Sequence, residues 1–215
     1  MKKLVVVDYG MGNLRSVAKA LEFVVRERGL VFEVSISGSP QAVREADRVI
    51  FPGQGAMPDC MRYLRESGLE DAVRASAQTK PFFGVCVGMQ MLFDISAEGD
   101  TPGLGIFAGK VAKFQPLDRT LKVPHMGWNE VVQTRMHPVF SGIANAERFY
   151  FVHSYFCAPA DEGANDQKIT TAITNYGGEF TAAIGRDNIF GSQFHPEKSH
   201  HAGLKLYENF LHWNP

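Results

Sequence analysis

The sequence has 215 residues, a formal net charge of −1 at pH 7 and 45% hydrophobic residues, values typical of a soluble globular protein. The near-neutral charge argues against a surface for nucleic acid or for an anionic membrane, and no apolar run approaches the ~20 residues that span a bilayer. Three cysteines do not suit a disulfide framework, and the apolar run after Met1 is too short for a signal peptide. We therefore expect a cytoplasmic protein with one domain over residues 1–215.

The first half of the chain alternates short apolar runs with amphipathic segments. Apolar runs without polar alternation are typical of strands that are buried on both faces of a sheet. They predict strands at residues 4–7, 31–36, 49–51 and 81–85. Apolar residues at helical spacing predict helices at residues 14–28, 57–67 and 69–78, and a helix-like segment at residues 89–95. This half is therefore of the α/β class.

The second half lacks helical periodicity until its end. Strand-like segments are predicted at residues 110–114, 128–133, 149–155, 169–174, 180–184 and 189–194, and a last helix at residues 202–213. Residues 158–167 contain Pro, Gly, Asp and Asn and are predicted to form a surface loop. The chain is therefore expected to be α/β first and strand-rich later, within one domain.

A glycine-rich turn from Asp8 to Asn13 lies between the first strand and the first helix. Strand, glycine turn and helix would suit a dinucleotide site, but the fingerprint G-x-G-x-x-G fails at its third glycine, where Arg15 stands. We interpret the turn instead as a loop at the carboxyl edge of the sheet, near the functional site or a partner.

The strand at residues 81–85 leads into Gly84-Val85-Cys86-Val87-Gly88. Glycines two residues before and two residues after a nucleophile are the signature of a nucleophile elbow, a turn so tight that side chains would clash with the neighbouring backbone. At the start of a helix, the partial positive charge favours thiolate over thiol. The sequence therefore predicts that Cys86 is a nucleophile rather than a buried structural cysteine.

Two further segments supply the groups that such a nucleophile needs. Pro52-Gly53-Gln54-Gly55 follows a strand, and its glycines allow the backbone N–H groups to approach a ligand. His195 and Glu197 are two residues apart at a predicted strand end, where side chains i and i+2 face the same side. Glu197 is therefore expected to hold one ring nitrogen of His195 while the other faces Cys86.

These motifs resemble those of the class I (triad) glutamine amidotransferases. Segments 8–13, 124–129, 151–155 and 195–199 more narrowly resemble the glutaminase subunits of imidazole glycerol phosphate synthases, and the resemblance covers nearly the whole chain. It implies a doubly wound, open, mostly parallel α/β sheet. It also implies hydrolysis of L-glutamine to glutamate and ammonia without a cofactor or metal. The implied partner, in a heterodimer, is a cyclase with a β/α barrel that uses the ammonia in histidine biosynthesis.

The resemblance also implies roles for single residues. It makes Cys86 the nucleophile, His195 the general base and acid, and Glu197 the orienting carboxylate. The implied oxyanion hole is the Val87 N–H with an N–H of the loop Gly53, Gln54 and Gly55, where the family commonly has a small apolar residue at the position of Gln54. The implied glutamine-binding positions are Gln90, Glu98, Ser154 and Tyr155, and the implied partner interface includes Asn13, Trp128, Tyr150 and Lys198.

Three alternative interpretations remain open on the sequence. The chain could be the glutaminase of another pathway, such as anthranilate or pyridoxal phosphate synthesis, although segment 124–129 argues against it. It could be a cysteine hydrolase or peptidase on a similar fold, although such enzymes lack the substrate-carboxylate positions. It could also be an inactive regulatory domain, but such domains typically lose the nucleophile or the base, and both are present here.

Overall fold

The computed structural model describes residues 1–116, 118, 120–160 and 168–215. The strands are β1 Lys2–Val7, β2 Phe32–Ser37, β3 Arg48–Gly53, β4 Phe82–Cys86, β5 Phe93–Ser96, β6 Thr101–Pro102, β7 Phe107–Lys113, β8 His125–Gln133, β9 Glu147–His153, β10 Tyr155–Pro159, β11 Thr170–Asn175, β12 Glu179–Arg186 and β13 Ile189–Ser192. The helices are α1 Leu14–Glu27, α2 Pro40–Glu45, α3 Met57–Glu66, α4 Glu70–Thr79, α5 Val87–Gln90 and α6 His200–His212. None of these helices, which cover the described ranges only, is long and apolar enough to cross a membrane.

A nine-stranded sheet, in the order β2-β1-β3-β4-β13-β12-β11-β8-β9, organises the described residues. Its first five strands pair in parallel. Residues 4–7 of β1 are fully buried, as the continuous apolar run predicted. Helix α1 packs against α6, and α2 packs against α4. The strands and helices predicted for the first half, up to residue 85, are confirmed to within one or two residues at most boundaries.

The remaining four strands of the large sheet pair in antiparallel fashion. The sheet is therefore mixed, and the expected parallel arrangement applies to its first five strands. A second sheet, in the order β10-β7-β5-β6, packs beside it. The α/β class and the strand-rich second half are confirmed.

The helix-like segment predicted at residues 89–95 is wrong. Helix α5 ends at Gln90, and the chain continues into strand β5. The carbonyl oxygens of Met91 and Leu92 accept hydrogen bonds from Leu104 and Ile106, so they are not available to a helix. Met89, Met91, Leu92 and Phe93 are fully buried in the core, whereas Ile95 is 44% exposed, so the apolar residues of this segment do not form one face of a helix.

Two other predictions need adjustment in the second half. The single strand predicted at residues 149–155 is divided: β9 ends at His153, and β10 begins at Tyr155 in the other sheet. The surface loop predicted at residues 158–167 begins within β10, and its residues 161–167 lie outside the described residues. The carboxyl ends of β3, β4 and β13 lie side by side and carry the candidate site.

Candidate active site

The turn between β4 and α5 holds Cys86 in a conformation that is rare for a residue with a side chain. Its φ is 55° and its ψ is −114°. The turn is crowded, because a Cβ on Gly88 would lie 1.9 Å from the carbonyl oxygen of Phe51, and one on Gly84 would lie 3.0 Å from Met89. Only glycine allows these approaches. The structure therefore has the geometry that the two glycines predicted.

Helix α5 is shorter than the sequence suggested. It has four residues, Val87–Gln90, and therefore few aligned peptide dipoles behind Cys86. The Cys86 side chain is buried, with the residue 3% exposed. Stabilisation of a thiolate at this position therefore depends mainly on nearby side chains.

His195 and Glu197 form a buried pair. Nδ1 of His195 lies 2.9 Å from Oε1 of Glu197, and their side chains are 5% and 1% exposed. The expected contact is present, but the reason given for it was wrong. Residues Pro196–Lys198 form a 3-10 turn, which folds Glu197 back onto the imidazole, instead of an extended segment with alternating side chains.

The other ring nitrogen of His195 is placed to exchange a proton. Nε2 is buried and has no hydrogen-bond partner within the described residues. Burial alone would lower the pKa of His195, but the adjacent Cys86 sulfur and the Glu197 carboxylate outweigh burial and raise this pKa to about 10. The imidazole is therefore held in an environment that stabilises its protonated form beside the Cys86 sulfur.

A cavity of about 250 Å³ opens above the sulfur. Its lining brings together most of the residues that the sequence had singled out for catalysis and substrate binding. They are Gln54, Gly55, Cys86, Val87, Gln90, Glu98, Ser154, Tyr155 and His195. Pro124, Val152 and His153 complete the lining. Among the described residues, no group of three or more His, Cys, Asp or Glu side chains is arranged to hold a metal ion.

The loop after β3 lies directly against the elbow. Gly53 pairs with Cys86 in the parallel register, and a Cβ on Gly53 would lie 2.6 Å from the Gly88 nitrogen. The buried Tyr9 hydroxyl donates to the carbonyl oxygen of Pro52 at 3.0 Å. The glycine-rich turn after β1 therefore supports this loop, in agreement with its predicted place at the carboxyl edge. The Gln54 side chain is exposed.

Gln90 makes more protein contacts than a substrate-binding role alone requires. Its Nε2 donates to the carbonyl oxygen of Tyr155 and to Oε1 of Gln193, both at 3.0 Å. Both N–H groups are therefore already used, and a contact with substrate falls to the Gln90 carbonyl oxygen. One carboxylate oxygen of Glu98 accepts from the Met57 N–H at 2.8 Å.

Sequence reasoning missed a buried histidine pair beside the cavity. His153 Nδ1 lies 2.8 Å from the carbonyl oxygen of Tyr155 and must donate to it, because a carbonyl cannot donate. His153 Nε2 therefore accepts from His125 Nδ1 at 3.1 Å, and His125 Nε2 accepts from the amide of Asn129 at 3.2 Å. Burial lowers the pKa of His125 to about 4 and that of His153 to about 3, so both rings are neutral at pH 7.

The residues with an implied interface role are accessible. Trp128 is 42% exposed, and its ring stacks on His200 at 5.0 Å and meets Tyr150 edge-on at 6.1 Å. The exposed Lys198 places its Nζ 5.6 Å from the Tyr150 ring. Asn13 lies at the start of α1, half-buried, on the turn that supports the loop after β3.

Comparison with known proteins adds to this geometry. The family model described as "Glutamine amidotransferase class-I" matches residues 5–213. Imidazole glycerol phosphate synthase subunit HisH of Chromobacterium violaceum is 56% identical over 216 residues, which cover 99% of this chain and 98% of the relative. The same subunit of Aromatoleum aromaticum is 52% identical over the full length of both chains. The chain belongs to the HisH family of class-I glutamine amidotransferases.

Solved structures support the fold of this HisH-family chain. One, described as a glutamine amidotransferase, has a TM-score of 0.69 at 20% identity and covers 97% of both chains. A glutamine amidotransferase from Thermotoga maritima has a TM-score of 0.60 at 13% identity, covering 91% of this chain and 76% of that one. The class-I amidotransferase fold is therefore confirmed.

Proposed function

We propose that the chain hydrolyses L-glutamine to glutamate and ammonia with Cys86, His195 and Glu197 as a catalytic triad. The observation that carries the proposal is the state of His195. One ring nitrogen is anchored by Glu197 at 2.9 Å, and the other is buried without a partner in the cavity that Cys86 lines. Such an imidazole can take a proton from the thiol and return it to a leaving group.

The reaction then proceeds in two halves. The Cys86 thiolate attacks the side-chain amide carbon of glutamine, and His195 protonates the amine that leaves as ammonia. The remaining thioester is attacked by water, from which His195 removes a proton, and glutamate leaves as the thiolate is restored. Glu197 holds the ring and stabilises the imidazolium that forms in each half.

An oxyanion develops on the carbonyl oxygen in both halves. The Val87 N–H and an N–H of the loop Gly53–Gly55 are the proposed donors, because the loop and the elbow are in close backbone contact. Gln90, Glu98, Ser154 and Tyr155 are the proposed contacts for the rest of the glutamine molecule. All four residues line the cavity, which supports this assignment.

The ammonia is proposed to pass to a partner subunit. In water near pH 7 ammonia becomes ammonium and loses its nucleophilicity, so a synthase must receive it by a path that excludes water. The two relatives are named as subunits of imidazole glycerol phosphate synthase. We propose that residues 1–215 form one amidotransferase domain that pairs, in the cytoplasm, with a cyclase of β/α-barrel fold. That cyclase makes imidazole glycerol phosphate and an aminoimidazole carboxamide ribotide for histidine biosynthesis.

The proposed docking surface consists of Asn13, Trp128, Tyr150 and Lys198. Trp128 supports it because a large aromatic ring 42% exposed to water suits an interface better than a free surface. Asn13 and Lys198 lie in the segments that follow parallel strands β1 and β13, at the carboxyl edge of the sheet, and Lys198 lies beside Tyr150. No nucleic acid or membrane is part of the proposed function.

Cys86→Ala tests the proposal. Alanine fits the same elbow, so the variant is expected to fold, to bind the cyclase and to lose all glutamate formation. With the cyclase present and ammonium supplied at alkaline pH, synthesis should continue. Cys157→Ala is the matched control, because that thiol also is buried but lies outside the cavity lining. Glutamate formation by a folded Cys86→Ala protein would contradict the proposal.

A further inference from the structure

Gln193 places an amide beside the reacting sulfur. Its Nε2 lies 3.6 Å from Cys86 Sγ, a distance within the range of hydrogen bonds to the large sulfur atom. The residue is completely buried, directly after β13 and two positions before His195. Neither the elbow motif nor the His-Glu pair assigns it a role.

The hydrogen-bond network fixes which end of this amide faces the sulfur. The carbonyl oxygen of Tyr155 can only accept, so the Gln90 group beside it is the NH₂ group. The same NH₂ group lies 3.0 Å from the Gln193 side chain, which must therefore present its oxygen. The Gln193 NH₂ group is left to face Cys86, and its orientation follows from the protein rather than from a choice between two equivalent positions.

A donor in this position suits a thiolate better than a thiol. A thiol sulfur is a weak acceptor, and a buried amide N–H that faced only a thiol would be poorly satisfied. A thiolate accepts a charge-assisted hydrogen bond, which is about twice as strong as one between neutral groups. Because α5 has only one turn, its dipole adds little, and a side-chain donor has more to contribute.

We propose that Gln193 is a further catalytic residue, which donates a hydrogen bond to Cys86 Sγ and stabilises the nucleophilic thiolate. Gln90 is then a positioning residue, because it holds the Gln193 oxygen and so aims the N–H groups at the sulfur. His195 and Gln193 act on Cys86 in different ways. The His195 imidazole exchanges a proton with the sulfur, whereas the Gln193 amide donates a hydrogen bond and keeps its protons throughout. The proposal rests on the proposed glutaminase function but makes a separate prediction about the thiol.

The test measures thiolate formation without glutamine. The rate of Cys86 alkylation by iodoacetamide is followed against pH, with the modified peptide identified by mass spectrometry. Cys60 and Cys157 interfere little, because burial raises the pKa of Cys60 to about 11 and raises that of Cys157 well above its ordinary value. Gln193→Leu removes the donor at similar volume. The pH midpoint of alkylation is expected to rise by about one unit, and kcat at pH 7 to fall about tenfold.

Gln193→Glu provides a second variant in case the leucine protein does not fold. It keeps an oxygen for Gln90 but places a carboxylate oxygen against the sulfur, so the midpoint should rise further than in Gln193→Leu. Gln41→Leu, on the exposed surface of α2, is the matched control and should leave the midpoint unchanged. An unchanged midpoint in either folded Gln193 variant would overturn the proposal. If the midpoints shift in the variants but the wild-type protein never forms glutamate, the result would support the role of Gln193 and refute the glutaminase function.

Discussion

The buried pair His125 and His153 should make the protein sensitive to acid. His125 is stacked between Phe151 and Tyr176, at ring distances of 4.8 and 4.0 Å, and it donates to His153. Asparagine at position 125 can keep a donor close to the position of Nδ1, but it cannot take up a proton in this pH range. We therefore expect His125→Asn to fold and to be less stable than the wild type at pH 8, because packing is lost. On acidification, however, the variant should lose less unfolding free energy than the wild type.

The magnitude follows from the lowered pKa of His125. Burial reduces it from 6.5 to about 4, so below pH 6.5 the unfolded chain binds a proton that the folded chain does not. Stability is therefore highest above pH 6.5 and falls as the pH decreases toward 4. One pKa unit corresponds to about 1.4 kcal/mol, so this histidine alone removes about 2 kcal/mol of unfolding free energy between pH 8 and pH 5. The neighbouring His153 titrates with it as a coupled pair.

The assay is urea unfolding of the wild-type protein and His125→Asn at pH 8 and pH 5. The loss of unfolding free energy on acidification should be smaller in the variant by about 2 kcal/mol. His212→Asn, at an exposed position on α6, is the matched control and should lose as much as the wild type. If His125→Asn and the wild type lose the same amount, the histidine pair is not the neutral buried network that its hydrogen bonds indicate.

Three further predictions concern catalysis, docking and stability. His195→Ala should reduce kcat by about 10²–10⁴-fold, and Glu197→Gln by less, because an amide still holds the ring; equal losses in folded proteins would argue against separate roles. Trp128→Ala and Lys198→Ala should weaken cyclase binding in titrations, or lower the ratio of imidazole product to glutamate, while the isolated chain folds normally. If affinity and ratio are both unchanged, the docking surface lies elsewhere. Arg48→Met should lower the unfolding free energy by about 1–3 kcal/mol in urea, because buried Arg48 donates to the carbonyl oxygen of Trp213, directly after α6, at 2.6 Å. A loss no larger than that of an exposed control such as Arg15→Met would refute this.

Local patterns predicted much of the fold. The apolar run at residues 4–7 predicted β1, and the helical spacing from Leu14 onward predicted α1. Both patterns are reliable because the positions of apolar residues follow directly from which side chains are buried. The segment at residues 89–95 failed because β5 is stabilised by pairing with β7, which begins fourteen residues later, and no local pattern reports such a pairing. The parallel or antiparallel direction of strands in the second half likewise depends on long-range connections.

The site shows the same division between local and long-range information. The Cys86 elbow could be predicted because Gly84 and Gly88 report crowding within one turn of chain. Gln193 could not, because its partners Cys86 and Gln90 lie about a hundred residues earlier in the chain, and glutamine beside an apolar strand has no distinctive pattern. Its spacing of two residues from His195 was the one available signal, and it identifies no chemistry without the fold.

The turn that carries His195 also affects how the sheet meets its surroundings. Strand β9 is the outermost strand of the large sheet, and its Tyr150 directs both backbone groups away from β8. The Tyr150 N–H donates to Ser199 Oγ at 3.0 Å, and its carbonyl oxygen accepts from the His195 N–H at 2.9 Å. An exposed strand edge can recruit strands from other molecules, so a segment that occupies these groups opposes aggregation. Ser199 Oγ also donates to the carbonyl oxygen of His195 at 2.6 Å, so a substitution of Ser199 would disturb both the covered strand edge and the backbone that positions the imidazole.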